Sequence, residues 1–187
     1  MVKKNTCVFI SGKGTNLKNL INRSRENTFP INIKLIITNN KNARGILFAK
    51  INSIPYMIIN SRLRNYERKI LAVLQKNKIS FICLAGYMKI ISKSFIREFG
   101  NKIINIHPSL LPKFKGLNTF KRILKNEEVK TGCTVHYVNE HLDGGHVIAK
   151  KSFQIHPHDN EEILKQKTQE LEYKVFPEAI IKVFRNN

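Results

Sequence analysis

The stretch INIHPSLLPKFKG, from Ile104 to Gly116, puts a carboxamide and an imidazole two residues apart where an apolar run ends. Asn105 interrupts Ile103, Ile104 and Ile106, and His107 follows. Pro108 biases His107 away from helical angles. Pro108 and Pro112 each fix a φ and delete a backbone donor. The chain is therefore stiffened where a ring that titrates near neutrality leaves the strand. A third polar group, Asp143, stands in EHLDGGHV beside Gly144 and Gly145, which let backbone approach a ligand closely. A neighbouring carboxylate strengthens an imidazole's hold on its proton, and a carboxamide donates two hydrogen bonds without charge. Asn105, His107 and Asp143 together are suited to hold a developing oxyanion and move a proton. Spacing alone equally admits three unrelated polar residues.

A second constellation is SGKGTN, Ser11–Asn16, which follows an apolar run and opens a helical one. Gly12 and Gly14 begin a dinucleotide fingerprint, but Leu17 stands where the third glycine belongs, and the pattern is not a Walker loop. It places backbone N–H groups at a helix N-terminus, where Thr15 and Asn16 cap the helix or bind an anion. This favours a phosphate site over an ordinary strand–helix turn. The other histidines carry plainer readings. His136 alternates along a strand, and His141 and His146 flank the aspartate loop without the further partners a metal site needs. Taken alone, Glu172 in LEYKVFP reads as a solvated helical charge.

The elements that must position these residues follow from periodicity. Strands are expected at Thr6–Ile10, Ile31–Thr38, Pro55–Ile59, Ser80–Gly86 and 102–106. Helices are expected from Asn16, over Arg44–Lys50 and over Arg64–Asn77. Apolar strands alternating with helices indicate an α/β fold, Rossmann-like, with a mostly parallel sheet covered on both faces. Gly132–Val138 and Val147–Ile155 are separated only by a loop and read as late antiparallel strands. Glu161–Arg185 reads as a final amphipathic helix, interrupted or kinked near Pro177. Ligands of such sheets bind beyond the carboxyl ends of the strands. The loops SGKGTN, GYMK and HPSLLPKFKG are therefore expected to open on one side.

At 187 residues the chain fits one domain, 1–187, with a sizeable core. No apolar run reaches membrane-spanning length, and the start MVKKNTCVFI lacks the apolar region of a signal peptide. A cytoplasmic location is expected, with no membrane partner. Cys7, Cys83 and Cys133 are odd in number and have no CxxC spacing, against a disulfide framework or zinc site. The formal charge of +20 and pI of about 10.1 invite a nucleic-acid reading. The basic residues are scattered, however, and no RNA-binding signature is present, so no nucleic-acid partner is expected. A positive field still attracts small anions.

Taken in order, FISGKGTNL, LAGYMKII, NIHPSLLPKFKGL and LDGGHVI resemble the formyltransferase family, in particular its phosphoribosylglycinamide formyltransferases of purine synthesis. The resemblance covers nearly the whole chain. HPSLLP is shared across the wider family, and the early SGxG[ST]N loop narrows it to the glycinamide branch. The length agrees with that branch, and the added domains of the tRNA and hydrolase branches are not expected. The resemblance implies the formyltransferase fold and formyl transfer from 10-formyltetrahydrofolate, as co-substrate, to glycinamide ribonucleotide, with no metal. It implies that Asn105, His107 and Asp143 are catalytic. Gly14, Thr15 and Asn16 would take the phosphate and ribose end of the nucleotide, with Glu172 near its amine or ribose. The pterin slot would be Met88, Lys89, Ile90 and Ile91 with Asn139, Glu140, His141, Leu142 and Asp143. Asn105 would also border the folate, and Arg64 would touch it. Leu111–Pro112 resembles a bond the family holds cis.

The sequence departs from the family pattern at Tyr173 and Phe176 beside Glu172, at Asn118, where histidine is usual, and at His146, where proline is usual. A monomer or homodimer is expected. Formyl transfer to another amine, such as methionyl-tRNA, stays open, as does a non-catalytic phosphate-binding module.

Overall fold

The computed structural model describes residues 2–100 and 102–185. Seven strands form one sheet in the order β3-β2-β1-β4-β5-β6-β7. The strands are β1 (Lys4–Ile10), β2 (Ile31–Thr38), β3 (Tyr56–Ile58), β4 (Phe81–Leu84), β5 (Ile103–His107), β6 (Lys130–Tyr137) and β7 (Val147–Gln154). The helices are α1 (Thr15–Ser24), α2 (Gly45–Ile51), α3 (Tyr66–Lys76), α4 (Lys93–Phe99), α5 (Thr119–Lys125) and α6 (Glu161–Arg185). β1 pairs in parallel with β2 and β4, and β2 with β3, whereas β6 and β7 are antiparallel. This is the expected mostly parallel α/β sheet with antiparallel late strands. The chain divides into two compact units, Met1–Ile104 and Asn105–Asn187.

In the first unit β1, β2 and β4 are mostly buried, as their apolar runs require, whereas the edge strand β3 leaves Tyr56 and Ile58 exposed. Cys7, Val8, Ile10, Ile36 and Ile82 are fully buried. Cys7 and Cys83 fill this core as small apolar groups, and burial pushes both thiols up. Leu17, Leu20 and Ile21 form the buried stripe of α1, which packs on α2 and β2. Phe9 meets Tyr87 and Phe95 edge-on at centroid distances of 5.2 and 6.4 Å, a geometry that suits the aromatic quadrupole. α4 was not foreseen from periodicity. Ser92 caps it by accepting from Phe95 N–H at 3.1 Å. Glu67, on α3, accepts from Ser92 N–H at 2.9 Å and from the Ser92 hydroxyl. One carboxylate thus fastens the two helices.

In the second unit α6 packs on β6 and β7, and α5 on α6. Leu164, Val175, Phe176 and Ile180 are fully buried. The expected interruption at Pro177 does not occur: α6 is assigned as one helix through it. Pro177 removes one backbone donor, but it and its neighbours Val175, Phe176, Ala179 and Ile180 are all buried, and that packing outweighs the local penalty. Gly132 is a close-approach position, since a Cβ there would lie 1.9 Å from the Lys151 carbonyl oxygen on β7.

Replacing Glu67 by Ala strands the Ser92 N–H and should lower the free energy of unfolding by about 1–3 kcal/mol, read by urea denaturation. Lys69→Ala, at an exposed position of the same helix, should stay within about 0.5 kcal/mol of the parent. Equal effects from the two substitutions would remove the assigned role of Glu67.

Candidate active site

β5 ends at His107, and its ring is buried, only 5% of the residue being exposed. Nδ1 lies 3.3 Å from Asp143 Oδ2, and Nε2 lies 2.9 Å from the Phe114 carbonyl oxygen. Both partners are acceptors, so only a ring protonated on both nitrogens satisfies both contacts. Burial opposes that charge and holds the His107 pKa below the ordinary imidazole value, while Asp143 and the Phe114 carbonyl pull it up. The ligand-free ring is therefore arranged for a proton that its surroundings make costly to keep.

Asp143 has a side chain only 8% exposed. Burial would raise its pKa, but the Gly116 N–H and His107 hold it below the usual carboxylate range. Gly116 N–H donates to Oδ2 at 2.8 Å. Asn105 Nδ2 lies 3.4 Å from Oδ1 and 3.2 Å from His136 Nε2. The structure thus brings together all three residues that the sequence offered as catalytic.

The loop that follows His107 is tied down at several points. Thr134, on β6, donates to the Ser109 carbonyl at 2.7 Å and accepts from Leu111 N–H at 3.1 Å. Lys150 donates to the Leu111 carbonyl, and the Ser109 hydroxyl to the Lys113 carbonyl at 2.6 Å. The Leu111–Pro112 bond is cis. Arg122 lies over the Phe114 ring at 5.6 Å and donates to the Lys115 carbonyl at 2.6 Å.

The aspartate loop is braced internally. Asn139 accepts from His141 N–H at 3.0 Å and donates to the Gly144 carbonyl at 3.2 Å. A Cβ on Gly145 would lie 1.7 Å from the Tyr137 carbonyl oxygen, so this position is confined to glycine. Glu140, His141 and Leu142 are exposed beside Asp143. Glu172 is half-buried on α6. It does not sit on a purely solvated face, because its charge helps burial push the Cys133 thiol up to about 12.

In the first unit, Gly14 precedes α1 in the left-handed region at φ 73°. A Cβ on it would stand 2.5 Å from Gly45 Cα, and Gly45 N–H donates to the Gly12 carbonyl at 3.1 Å. Paired glycines thus let the loop touch the start of α2, and they leave Thr15 and Asn16 in the first turn of α1, at its positive end. Ser11 ties three loops. Its N–H donates to the Gly86 carbonyl at 3.2 Å and its hydroxyl to Asn39 Oδ1 at 2.5 Å. The same hydroxyl accepts from Met88 N–H at 2.8 Å, and the Ser11 carbonyl accepts from Asn40 at 3.0 Å. The loops after β1 and β4 therefore open together, as expected. Met88 and Ile90 are 67% and 74% exposed, Lys89 is exposed, and Ile91 is half-buried. Arg64 lines a cleft of about 280 Å³ with Arg68, Ser94 and Glu98.

Sequence reasoning missed three contributors: Ser11 as a tie point, Thr134 as a loop anchor, and His136. The β6–β7 register shifts between Val135 and His136, and such a bulge re-aims a side chain. Simple alternation conceals that change. Among the described residues no group of three His, Cys, Asp or Glu is placed to hold a metal ion, and no helix is long and apolar enough to cross a membrane.

A family profile described as "Formyl transferase" matches residues 4–180. A phosphoribosylglycinamide formyltransferase of Haemophilus influenzae is 39% identical over 97% of this chain and 87% of its own. The trifunctional purine biosynthetic protein adenosine-3 of Drosophila pseudoobscura is 40% identical over 95% of this chain, which spans only 14% of that longer protein. The crystal structure of phosphoribosylglycinamide formyltransferase from Anaplasma phagocytophilum superposes with a TM-score of 0.91 at 34% identity, covering 98% of this chain and 88% of that one. With its sheet order, its His107–Asp143 pair and these likenesses, the chain belongs to the formyl transferase family.

Proposed function

We propose that this chain transfers the formyl group of 10-formyltetrahydrofolate to the amine of glycinamide ribonucleotide, giving formylglycinamide ribonucleotide and tetrahydrofolate in purine biosynthesis. The observation that carries the reading is the buried Asp143 carboxylate gripped by His107, Gly116 and Asn105. The names of relatives such as the Haemophilus enzyme supply the substrate class. Residues 1–187 act as one formyltransferase domain, a reading supported by the family match over 4–180.

In this reading the amine nitrogen attacks the formyl carbon. A C–N bond forms, and the carbonyl π pair moves to oxygen. His107 and Asn105 donate to that oxyanion. The carbonyl then re-forms, the bond to the folate nitrogen breaks, and the amine proton passes to that nitrogen through Asp143 and water. Both His107 N–H groups are engaged without substrate, one on a carboxylate and one on the Phe114 carbonyl. The contact to the neutral carbonyl is the one exchanged for the oxyanion. Burial disfavours a lone imidazolium, but an anion forming beside it offsets that cost. The ring's proton is therefore held more tightly in the transition state than before it, which is the difference that accelerates a reaction.

Gly14, Thr15 and Asn16 hold the phosphate and ribose of the nucleotide at the positive end of α1, and Glu172 holds its amine or ribose. Arg64, Met88, Lys89, Ile90 and Ile91 take the folate together with Asn105 and the loop Asn139–Asp143. Both substrates are small anions, which a chain of charge +20 attracts. The protein works in the cytoplasm as a monomer or homodimer.

The purified protein mixed with glycinamide ribonucleotide and 10-formyltetrahydrofolate should consume the formyl donor, followed by absorbance. Formylation of methionyl-tRNA alone would overturn the choice of acceptor, and no transfer to any amine would overturn the enzymatic reading. His107→Ala should lower kcat by about 10²–10⁴-fold with little change in either KM. In a nitrogen-detected NMR titration of the ligand-free protein, His107 should titrate below its ordinary 6.5. Asp143 raises that value against burial, so Asp143→Asn should move the titration lower still. A rise on this substitution would contradict the assigned pairing.

A further inference from the structure

We propose that His136 is a positioning residue that holds the Asn105 carboxamide by one N–H, as a neutral ring protonated on Nδ1, so that the other N–H is free to turn onto the oxyanion. The inference rests on the formyl-transfer reading for its consequence, but the contact itself stands without it.

His136 is 2% exposed and follows the bulge in β6. Its Nδ1 lies 2.8 Å from the Tyr137 carbonyl oxygen. A carbonyl only accepts, so Nδ1 carries a proton. In the neutral ring Nε2 is then a lone pair. That lone pair faces Asn105 Nδ2 at 3.2 Å. The second N–H of the same amide faces Asp143 Oδ1 at 3.4 Å. Both partners of Nδ2 are acceptors, which fixes which end of the carboxamide is nitrogen. A proton on Nε2 would instead turn His136 towards Asp143 Oδ1, 3.5 Å away, and leave Asn105 facing a donor. The contact to Asn105 is the shorter of the two, 3.2 Å against 3.5 Å, and that difference favours the neutral ring.

The consequence concerns the number of donors. Asn105 has two N–H groups, and both are engaged without substrate. It reaches an oxyanion only by releasing one. The longer contact, to Asp143, is the one to yield, since that carboxylate keeps the Gly116 N–H at 2.8 Å and His107 at 3.3 Å. His136 then remains as the fixed point about which the amide is aimed. Without it the amide is held by one long contact, and a donor that must be ordered during the reaction stabilises charge poorly. His136 is buried behind the carboxamide and faces its Nδ2, so its effect passes through Asn105.

The test is kinetic and spectroscopic. His136→Leu keeps bulk but removes the acceptor, whereas His136→Gln offers Oε1 near the place of Nε2. His136→Leu should lower kcat by about 10–100-fold with little change in KM, and His136→Gln should recover at least a third of that loss on a logarithmic scale. In an Asn105→Ala background, His136→Leu should cost less than about twofold more, because the group it aims is gone. An unchanged kcat, or losses that multiply with those of Asn105→Ala, would overturn the proposal. Imidazole nitrogen shifts of the wild-type, ligand-free protein decide the tautomer independently of any variant's folding. A pyrrole-type Nδ1 with a pyridine-type Nε2 supports the anchor, and the reverse pattern sinks it. Wild-type protein that transfers no formyl group to any amine overturns the functional reading, while the nitrogen shifts still decide the Asn105 contact.

Discussion

A carboxylate taken out of water loses hydration worth far more than any one hydrogen bond returns, so Asp143 is tenable only if donors converge on it. They come from separate parts of the second unit: His107 from the end of β5, Gly116 N–H from the following loop, and Asn105 from within β5. Each donor is placed by something else. Gly116 is positioned by a loop pinned to Thr134 and Lys150. Asp143 is placed by a turn whose Asn139 and Gly145 leave little freedom. The carboxylate is therefore both the charge partner of His107 and the point where three chain segments are fastened together. Loss of the ion would loosen the site as well as discharge it.

The first unit solves a different problem by different means. Backbone N–H groups at a helix start hold an anion only where backbone is brought close and kept accessible. Gly14 and Gly45 allow their segments to touch with no Cβ between them. Ser11 then uses its N–H, carbonyl and hydroxyl to tie the loops after β1, β2 and β4. Side-chain charge contributes little to this arrangement. The second unit's site, by contrast, is made almost entirely of side-chain chemistry.

Much of this was legible in the sequence, for reasons that also explain what was not. β1, β2 and β4 show in the sequence through the apolar runs CVFI, LII and FICL, all buried. The polar exceptions, Asn105 and His107, were conspicuous against isoleucine. α4 and α5 have seven residues each, about two turns, so periodicity marks them only weakly, as it does the equally short α2. The one local mark of α4 is its Ser92 cap. Pro177 suggests an interruption or a kink on local propensity alone, and its buried neighbours carry the helix on without interruption. His136 was set aside because alternation gives a strand residue a face only while the register holds. A single bulge changes that face, and nothing in the local sequence marks it. Contacts between distant segments, such as Glu67 with Ser92, lie outside what periodicity encodes.

The loops around the site also hold unusual backbone. Phe114, Asn118 and Asp143 have φ of 57°, 55° and 46°, a region costly for residues with a side chain, and most so for a bulky one. Asn118 is the mild case, since asparagine tolerates it. Phe114 and Asp143 are held there by contacts that need the strained geometry. Phe114 turns its carbonyl to His107 while Arg122 covers its ring. Asp143 turns its carboxylate to Gly116 and His107. Each such residue costs on the order of 1–3 kcal/mol, which the surrounding contacts must exceed for the conformation to persist. Two strained residues that meet the same imidazole from its two sides indicate a ring held in place before substrate arrives. That prior ordering keeps both ring nitrogens aimed at fixed acceptors, so charge developing beside them calls for little further rearrangement of the protein.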